Sequence, residues 1–224
     1  MKMNKYTKLP KDFTFTAHTG CMGTTQNSLD SIKAGAESGA PVVEFDLRFT
    51  DDGEPVLSHD EPVGGEVTLD KAFECVSQFD NIKVNVDIKT CDALGKVYPL
   101  AQKYGIENRI FYTGVHEGFV ESVKKDSPEV PYYLNFKVKW WRKNNEKYIL
   151  SVVDKVKEAG AVGINFKYTG ASEKLVKIFH EKGLLVSIWT VDDEKNMYKI
   201  LSFAPDNITT RHPDKLSGIV KDFQ

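Results

Sequence analysis

Six residues of this 224-residue chain stand out, by type and spacing, as candidates for proton transfer, cation binding or phosphate binding: His18, Glu44, Asp46, His59, Asp87 and Lys89. Histidine titrates near neutral pH, so His18 and His59 are candidates for a general acid and a general base. Glu44 and Asp46 lie in VVEFDLRFT and Asp87 in NVDIK, both β-branched runs that read as strands. Side chains alternate along a strand, so Glu44, Asp46 and Arg48 share one face while Val43, Phe45 and Leu47 take the other. Asn85, Asp87 and Lys89 share a face in the same way, opposite Val86 and Ile88. Three carboxylates brought to one place repel unless a cation neutralises them. A hard divalent ion such as Mg²⁺ or Ca²⁺, which prefers oxygen ligands, fits that need. The competing reading pairs Asp87 with Lys89 or Arg48 in ion pairs that only brace the fold. After the second strand, the turn residues DDGEP, with a permissive Gly53 and an extended restart at Pro55, bring His59 back toward Glu44 and Asp46.

The elements that must position these residues repeat along the whole chain. Extended runs are predicted at 13–18, 42–50, 83–89, 109–113, 132–137, 162–167, 185–190 and 207–209. Helical patterns lie at 29–38, 69–79, 93–104, 119–125, 146–159, 173–181 and 194–202, with a short last one at 215–223. Several end at glycine, as in AESGA, QKYGI, KEAGA and HEKGL, and Thr68, Ser172 and Asp192 or Asp193 suit helix starts. Eight strand and helix units point to an α/β fold, a single-domain TIM (β/α)8 barrel spanning 1–224, rather than an open doubly wound sheet. Active sites of such barrels sit at the C-terminal strand ends, where His18, Glu44, Asp46, Asp87, Lys89 and Trp189 fall. His116 follows the fourth strand near that mouth, and His180 in a helical pattern reads as solvated.

Composition narrows the function class. The formal charge of -2 gives no electrostatic reason to expect nucleic acid. Cys21, Cys75 and Cys91 are too few and too far apart for a disulfide scaffold or zinc knuckle and read as reduced or buried thiols. The opening MKMNKYTKLPKDF lacks an apolar run of signal-peptide length, so the expected location is cytoplasmic, or secreted if a leader has been cleaved. No stretch is long and apolar enough to span a bilayer. Trp140 and Trp141 in KVKWWRKNNEK follow the fifth strand, at the barrel mouth. This pair suits stacking on a head group, cation–π binding of a quaternary amine, weak contact with a membrane surface, a cover for the mouth, or a dimer contact.

The segments AHTG at 17–20, TQNSLDSIKAGAESGA at 25–40, VVEFDLRFTDDGEPVLSHD at 42–60, NVDIK at 85–89 and VSIWTVDD at 186–193 together resemble the glycerophosphodiester phosphodiesterase family. Those proteins are TIM barrels related to phosphatidylinositol phospholipase C. The resemblance implies a phosphodiesterase that uses Mg²⁺ or Ca²⁺ to cleave small glycerophosphodiesters to an alcohol and glycerol phosphate. It implies His18 and His59 as the acid/base pair and Glu44, Asp46 and Asp87 as metal ligands. It also puts Lys89 near the substrate phosphate, Asn27 near the mouth and Trp189 beside the substrate.

The chain departs from the family pattern in places. Thr19 stands where arginine is usual, Thr25 and Gln26 replace Pro-Glu, Asp87 replaces glutamate, and Thr209 and Thr210 replace Thr-Asp. A hydroxyl does not reproduce a guanidinium fork on phosphate. Lys89, with Lys137 and Lys167 read as facing inward, is the expected source of positive charge, barrel ion pairs being the other reading of the last two. The segment EPVGGEVT makes a shortened insertion after the second strand and leaves the pocket more open. The Asp-x-Lys of the third strand also resembles phospholipase D-like toxins. A phospholipase D-like or cyclising lyase activity on lysophospholipids is therefore an alternative. A non-catalytic ligand-binding barrel is another, on the strength of Thr19 and ITTRHP.

Overall fold

The computed structural model describes residues 8–223; residues 1–7, where the segment read for a leader begins, and Gln224 lie outside them. In chain order the elements are β1 (Thr14–Ala17), α1 (Leu29–Glu37), β2 (Val42–Phe49), β3 (Pro55–Leu57), α2 (Leu69–Ser77), β4 (Lys83–Ile88), α3 (Val97–Lys103), β5 (Ile110–Thr113) and α4 (Val120–Asp126). They continue with β6 (Tyr133–Asn135), α5 (Glu146–Ala159), β7 (Gly163–Lys167), α6 (Glu173–Glu181), β8 (Leu185–Trp189), α7 (Glu194–Leu201), β9 (Asn207–Thr210) and α8 (Pro213–Val220). Every strand but β3 runs parallel to its neighbours, in the order β5-β4-β2-β1-β9-β8-β7-β6. The ends of this sheet meet through a bridge between Tyr112 and Tyr132, with the Tyr112 N–H donating to Pro131 O at 2.9 Å. The result is the expected (β/α)8 barrel, nearly closed, with a thin seam between β5 and β6.

Local chemistry sets the element ends. Ser28, Thr68, Asn145, Ser172 and Asp193 each accept a hydrogen bond at their side chain from the backbone N–H three residues on, satisfying a donor that the first helical turn leaves free. Gly39, Gly105, Gly160 and Gly183, the glycines of the four helix-ending motifs, all have φ between 65° and 83°, a range that costs other residues steric strain. The helix predicted at 93–104 is divided into a 3-10 turn, Leu94–Lys96, and α3 from Val97. Pro99 explains the break. In a helix begun at 93 its ring would sit in the interior, whereas in α3 it falls in the first turn, where no N–H is needed. The last helix, in contrast, starts earlier than predicted, at Pro213.

The two faces of the barrel strands divide by chemistry. Val43, Phe45 and Leu47 on β2 and Val84, Val86 and Ile88 on β4 are buried against the helices. Phe45 meets Phe73 of α2 at 6.2 Å between ring centroids; full burial of each ring contributes about 1.5–3 kcal/mol. The barrel interior is polar and mostly pairs with itself, Asn165 Oδ1 being buried without a partner among the described residues. Thr14 and Thr16 donate to Asn207, Asn207 donates to Ser187, and Asn165 donates to Asn135, all at 2.9–3.0 Å. Such a lining leaves the upper ends of the same strands free to present ionisable groups.

Candidate active site

Strand register assembles the acidic cluster. β2 and β4 pair with Asp46 level with Asp87, and β4 and β5 with Asp87 level with Thr113. One oxygen of each of Glu44, Asp46 and Asp87 lies within 4.8 Å of the others, with the first two buried and the third half-buried. Lys89 bridges two of them, its Nζ donating to Asp46 Oδ1 at 2.9 Å and to Asp87 Oδ2. The expected meeting of three carboxylates and one lysine is therefore present. Of the two ion pairs weighed for Asp87, the one with Lys89 forms, while Arg48 turns away to Glu61 at 2.6 Å.

The remaining bonds hold the carboxylates in place. Thr19 N–H donates to Glu44 Oε2 at 2.7 Å. Thr113 Oγ1 donates to Asp87 Oδ1 at 2.7 Å. Asn27, at a φ of 57°, grips Asp46 twice, donating from Nδ2 to its carboxylate at 2.9 Å and accepting its backbone N–H at 3.0 Å. Thr19 Oγ1 accepts from Asn27 N–H at 2.5 Å, and the residue is 1% exposed. Thr19 and Asn27 thus brace the carboxylates from behind. Asn27, expected at the substrate, has its amide committed to Asp46 instead.

Both histidines reach the same pocket, a cavity of about 270 Å³ whose lining includes His18, His59, Asp87, Lys89, Trp189 and Arg211. The turn after β2 closes with Gly53 N–H on Thr50 O at 2.8 Å, and β3 pairs back along β2 with Leu57 opposite Leu47. Ser58 N–H then donates to Asp46 O at 3.1 Å, setting His59 beside the cluster as its spacing implied. His18 Nδ1 lies 2.7 Å from Thr19 O. A carbonyl only accepts, so Nδ1 carries the hydrogen and Nε2 is the free acceptor. His59 Nδ1 lies 3.0 Å from Asp60 Oδ1, which orients that ring in the same sense. His116 instead accepts from Gly118 N–H and stacks on Phe119, while His180 pairs with Asp206.

Electrostatics divide the roles. Burial is the largest influence on His18 and pushes it below its ordinary value, with the charge of Arg211 adding to the effect, so the ring stays neutral. Glu44 is raised well above the usual carboxylate range, by burial first and then by Asp46 and Asp87. Burial opposes the charge on Lys89, but Asp87 and Asp46 outweigh it and hold the ammonium protonated. Three convergent carboxylates share one ammonium, so Lys89 alone does not balance the charge of the cluster. Each carboxylate keeps lone pairs beyond its protein hydrogen bonds. An oxygen-only, charge-deficient donor set of this kind fits a divalent cation.

Arg211 was not anticipated. It follows β9 and lines the pocket, held by Asp192, which accepts from its backbone N–H at 2.8 Å and from its guanidinium at 2.9 Å. The two-residue period of Asn207, Thr209 and Arg211 carried the signal, since Asn207 and Thr209 also face inward. Lys137 and Lys167 are displaced from their expected place. β6 ends at Asn135 and β7 at Lys167, and both lysines line a neighbouring groove rather than the acidic pocket. Their two-residue neighbours Asn135 and Asn165 face the pocket instead.

Comparison with known proteins agrees with this architecture. A curated glycerophosphodiester phosphodiesterase of Bacillus altitudinis is 22% identical over 93% of this chain and 98% of its own length. The solved Oleispira antarctica phosphodiesterase, in complex with the product sn-glycerol-3-phosphate, superposes with a TM-score of 0.74 at 18% identity, covering 95% of this chain and 97% of that one. A glycerophosphodiester phosphodiesterase from Parabacteroides distasonis gives 0.74 at 19% identity over 94% and 97%. These structures share the fold. The model of the glycerophosphoryl diester phosphodiesterase family matches residues 14–86 and 68–215, nearly the whole barrel, and the chain belongs to that family.

Proposed function

We propose that this chain hydrolyses a glycerophosphodiester to an alcohol and glycerol phosphate, with His18 and His59 moving the protons. One observation carries the reading: a single pocket at the C-terminal strand ends is lined by two histidines, three convergent carboxylates, Lys89 and Arg211. Glu44, Asp46 and Asp87 would hold a divalent cation, Mg²⁺ or Ca²⁺, which when bound neutralises phosphate charge and makes phosphorus more electrophilic. His18, half-buried and neutral with Nε2 free, accepts the proton of the attacking nucleophile. His59, whose side chain is 60% exposed, takes a proton from solvent and delivers it to the departing alcohol. Arg211 binds a non-bridging phosphate oxygen and, with Lys89, provides the positive charge that Thr19 does not. Asn27 and Thr19 keep Asp46 and Glu44 in position throughout.

The test is chelator-stripped protein given glycerophosphocholine, glycerophosphoethanolamine or glycerophosphoinositol, with Mg²⁺ or Ca²⁺ restored, followed by phosphorus NMR. The expected result is metal-dependent product, reduced by about 10²–10⁴-fold in His18→Ala and in His59→Ala. Product formation that is indifferent to both substitutions would remove the two-histidine mechanism. A cyclic phosphate as the final product would assign the nucleophile to a substrate hydroxyl rather than to water.

A further inference from the structure

Beside the acidic pocket lies a larger groove of about 760 Å³, with Phe136, Val138, Trp140, Trp141 and Trp189 among its lining residues. Asn135 and Trp189 border both spaces, so the groove runs directly off the place where the phosphate is expected. All three tryptophans of the chain line it. Trp140 and Trp141 are each 65% exposed, packed edge to face at 5.9 Å. Their short 3-10 turn is anchored, with Lys139 N–H donating to Tyr148 Oη at 3.0 Å and Arg142 lying over the Tyr148 ring. Close packing of Gly170 on Val138 fixes the wall that Val138 lines, since a Cβ at Gly170 would fall 2.7 Å from that side chain. The groove is therefore built apolar and held open, and its volume is that of a small-molecule site. At the junction, Trp189 Nε1–H is buried with no acceptor among the described residues, a donor left for an oxygen of a ligand.

We infer that the groove takes a single hydrocarbon chain borne by the phosphodiester, so that the chain-bearing diester, a one-chain glycerophospholipid, is preferred over the fully deacylated one. This rests on the phosphodiesterase reading of the adjoining pocket. Continuity decides the occupant: an apolar channel that opens at the phosphate site accepts a part of the substrate. Lys137, Lys139 and Lys167 also line the groove, and their stems cover apolar surface while their charges suit an anionic ligand. For a one-chain choline phospholipid, the oxygen of water joins phosphorus and the P–O bond to choline breaks. One water proton ends on the released choline, and the one-chain glycerol phosphate departs from the groove.

The experiment uses the intact protein with Mg²⁺ or Ca²⁺ and 1-acyl glycerophosphocholines of increasing chain length, all kept below their micelle thresholds, beside glycerophosphocholine. A brominated-chain member serves as a quencher of the three tryptophans. Expected are kcat/KM values rising by up to about fourfold per methylene until the groove fills, quenching by the monomeric lipid, and a flattened chain-length slope when Trp140→Ala and Trp141→Ala are combined. Turnover of glycerophosphocholine with no chain-length dependence and no quenching would overturn the groove inference and leave the phosphodiesterase reading standing. Quenching without turnover of any diester would remove the phosphodiesterase reading, and the inference of a substrate chain with it. Quenching only by phosphatidylcholine vesicles or micelles would make the tryptophans a membrane contact, and a self-associated protein whose tryptophans no monomeric lipid reaches would make them a subunit interface. Either result overturns the inference.

Discussion

Replacing Arg211 with alanine tests whether the chain compensates for the threonine at position 19. The guanidinium lies in the pocket with one arm fixed by Asp192 at 2.9 Å, leaving its other donors for phosphate. A hydrogen bond to a charged group contributes about 1.5–3 kcal/mol. The Arg211 side chain is 40% exposed, and solvent screening favours the lower part of that range, about 1.5–2 kcal/mol. That corresponds to a loss of about 10–30-fold in kcat/KM. A second readout separates direct contact from loose structure. His18 is held low by burial and, to a smaller extent, by the charge of Arg211, so removing that charge raises the histidine. A base must be deprotonated to act, and the acidic limb of the pH–rate profile should move to higher pH. Arg211→Lys keeps the charge and should recover part of the rate and most of the limb. Steady-state kinetics on glycerophosphocholine across pH, with thermal melts of each variant, provide the measurement. An Arg211→Ala protein with wild-type melting temperature, unchanged kcat/KM and an unmoved limb would refute the assignment.

Two further outcomes follow from the same geometry. Metal removal should leave the barrel folded, because Lys89 bridges Asp46 and Asp87 and relieves the repulsion among the carboxylates. Adding Mg²⁺ or Ca²⁺ at about 100 times its Kd should stabilise the native state by about 2.7 kcal/mol, a rise of roughly 5–10 °C in Tm for a chain of this size; no rise with either ion would argue against the carboxylate site. Asp192 tests linkage. Burial works against its charge, but the hydrogen bonds and charge of Arg211 outweigh burial and hold it below the ordinary aspartate value. A depressed carboxylate stabilises the fold above its unfolded pKa of about 3.9 and loses that contribution as pH falls through the folded value. Asp192→Asn should therefore melt below wild type at pH 6, and the gap should close under strong acid. A gap independent of pH would show that packing, not charge, is what Asp192 contributes.

Much of this was legible in the sequence because strand periodicity and helix-end chemistry act locally. The alternation in VVEFDLRFT and NVDIK placed Glu44, Asp46 and Asp87 on inward faces, and the register of β2 with β4 brings them level. α5 and α6 begin and end where their patterns do. What was misplaced depends on where a strand stops. Lys137 follows Asn135 by the correct period, but β6 has ended, so the lysine leaves the barrel and borders the groove. The sequence alone puts Asn27 at the mouth, whereas its place depends on a left-handed backbone and two hydrogen bonds to Asp46, which no local pattern reveals. Arg211 shares the two-residue period of Asn207 and Thr209, but period alone does not single it out. Its significance depends on Asp192, which follows β8, and on the absence of arginine at position 19.

The thin seam between β5 and β6 separates two territories of the barrel. The two histidines and the carboxylates ride on β1, β2, the β3 hairpin and β4, while the apolar groove is built from the segment following β6 and the ends of β7 and β8. The chemical arc is cross-braced by Thr19, Asn27 and Thr113, and none of those braces reaches residues 136–142. The loop after β6 can therefore diverge among descendants of this fold, gaining or losing its tryptophans, without re-optimising the arc opposite. For an engineer, that loop is an exchangeable cassette: transplanting it should reprogramme which diester is chosen while the reaction performed on it is inherited unchanged.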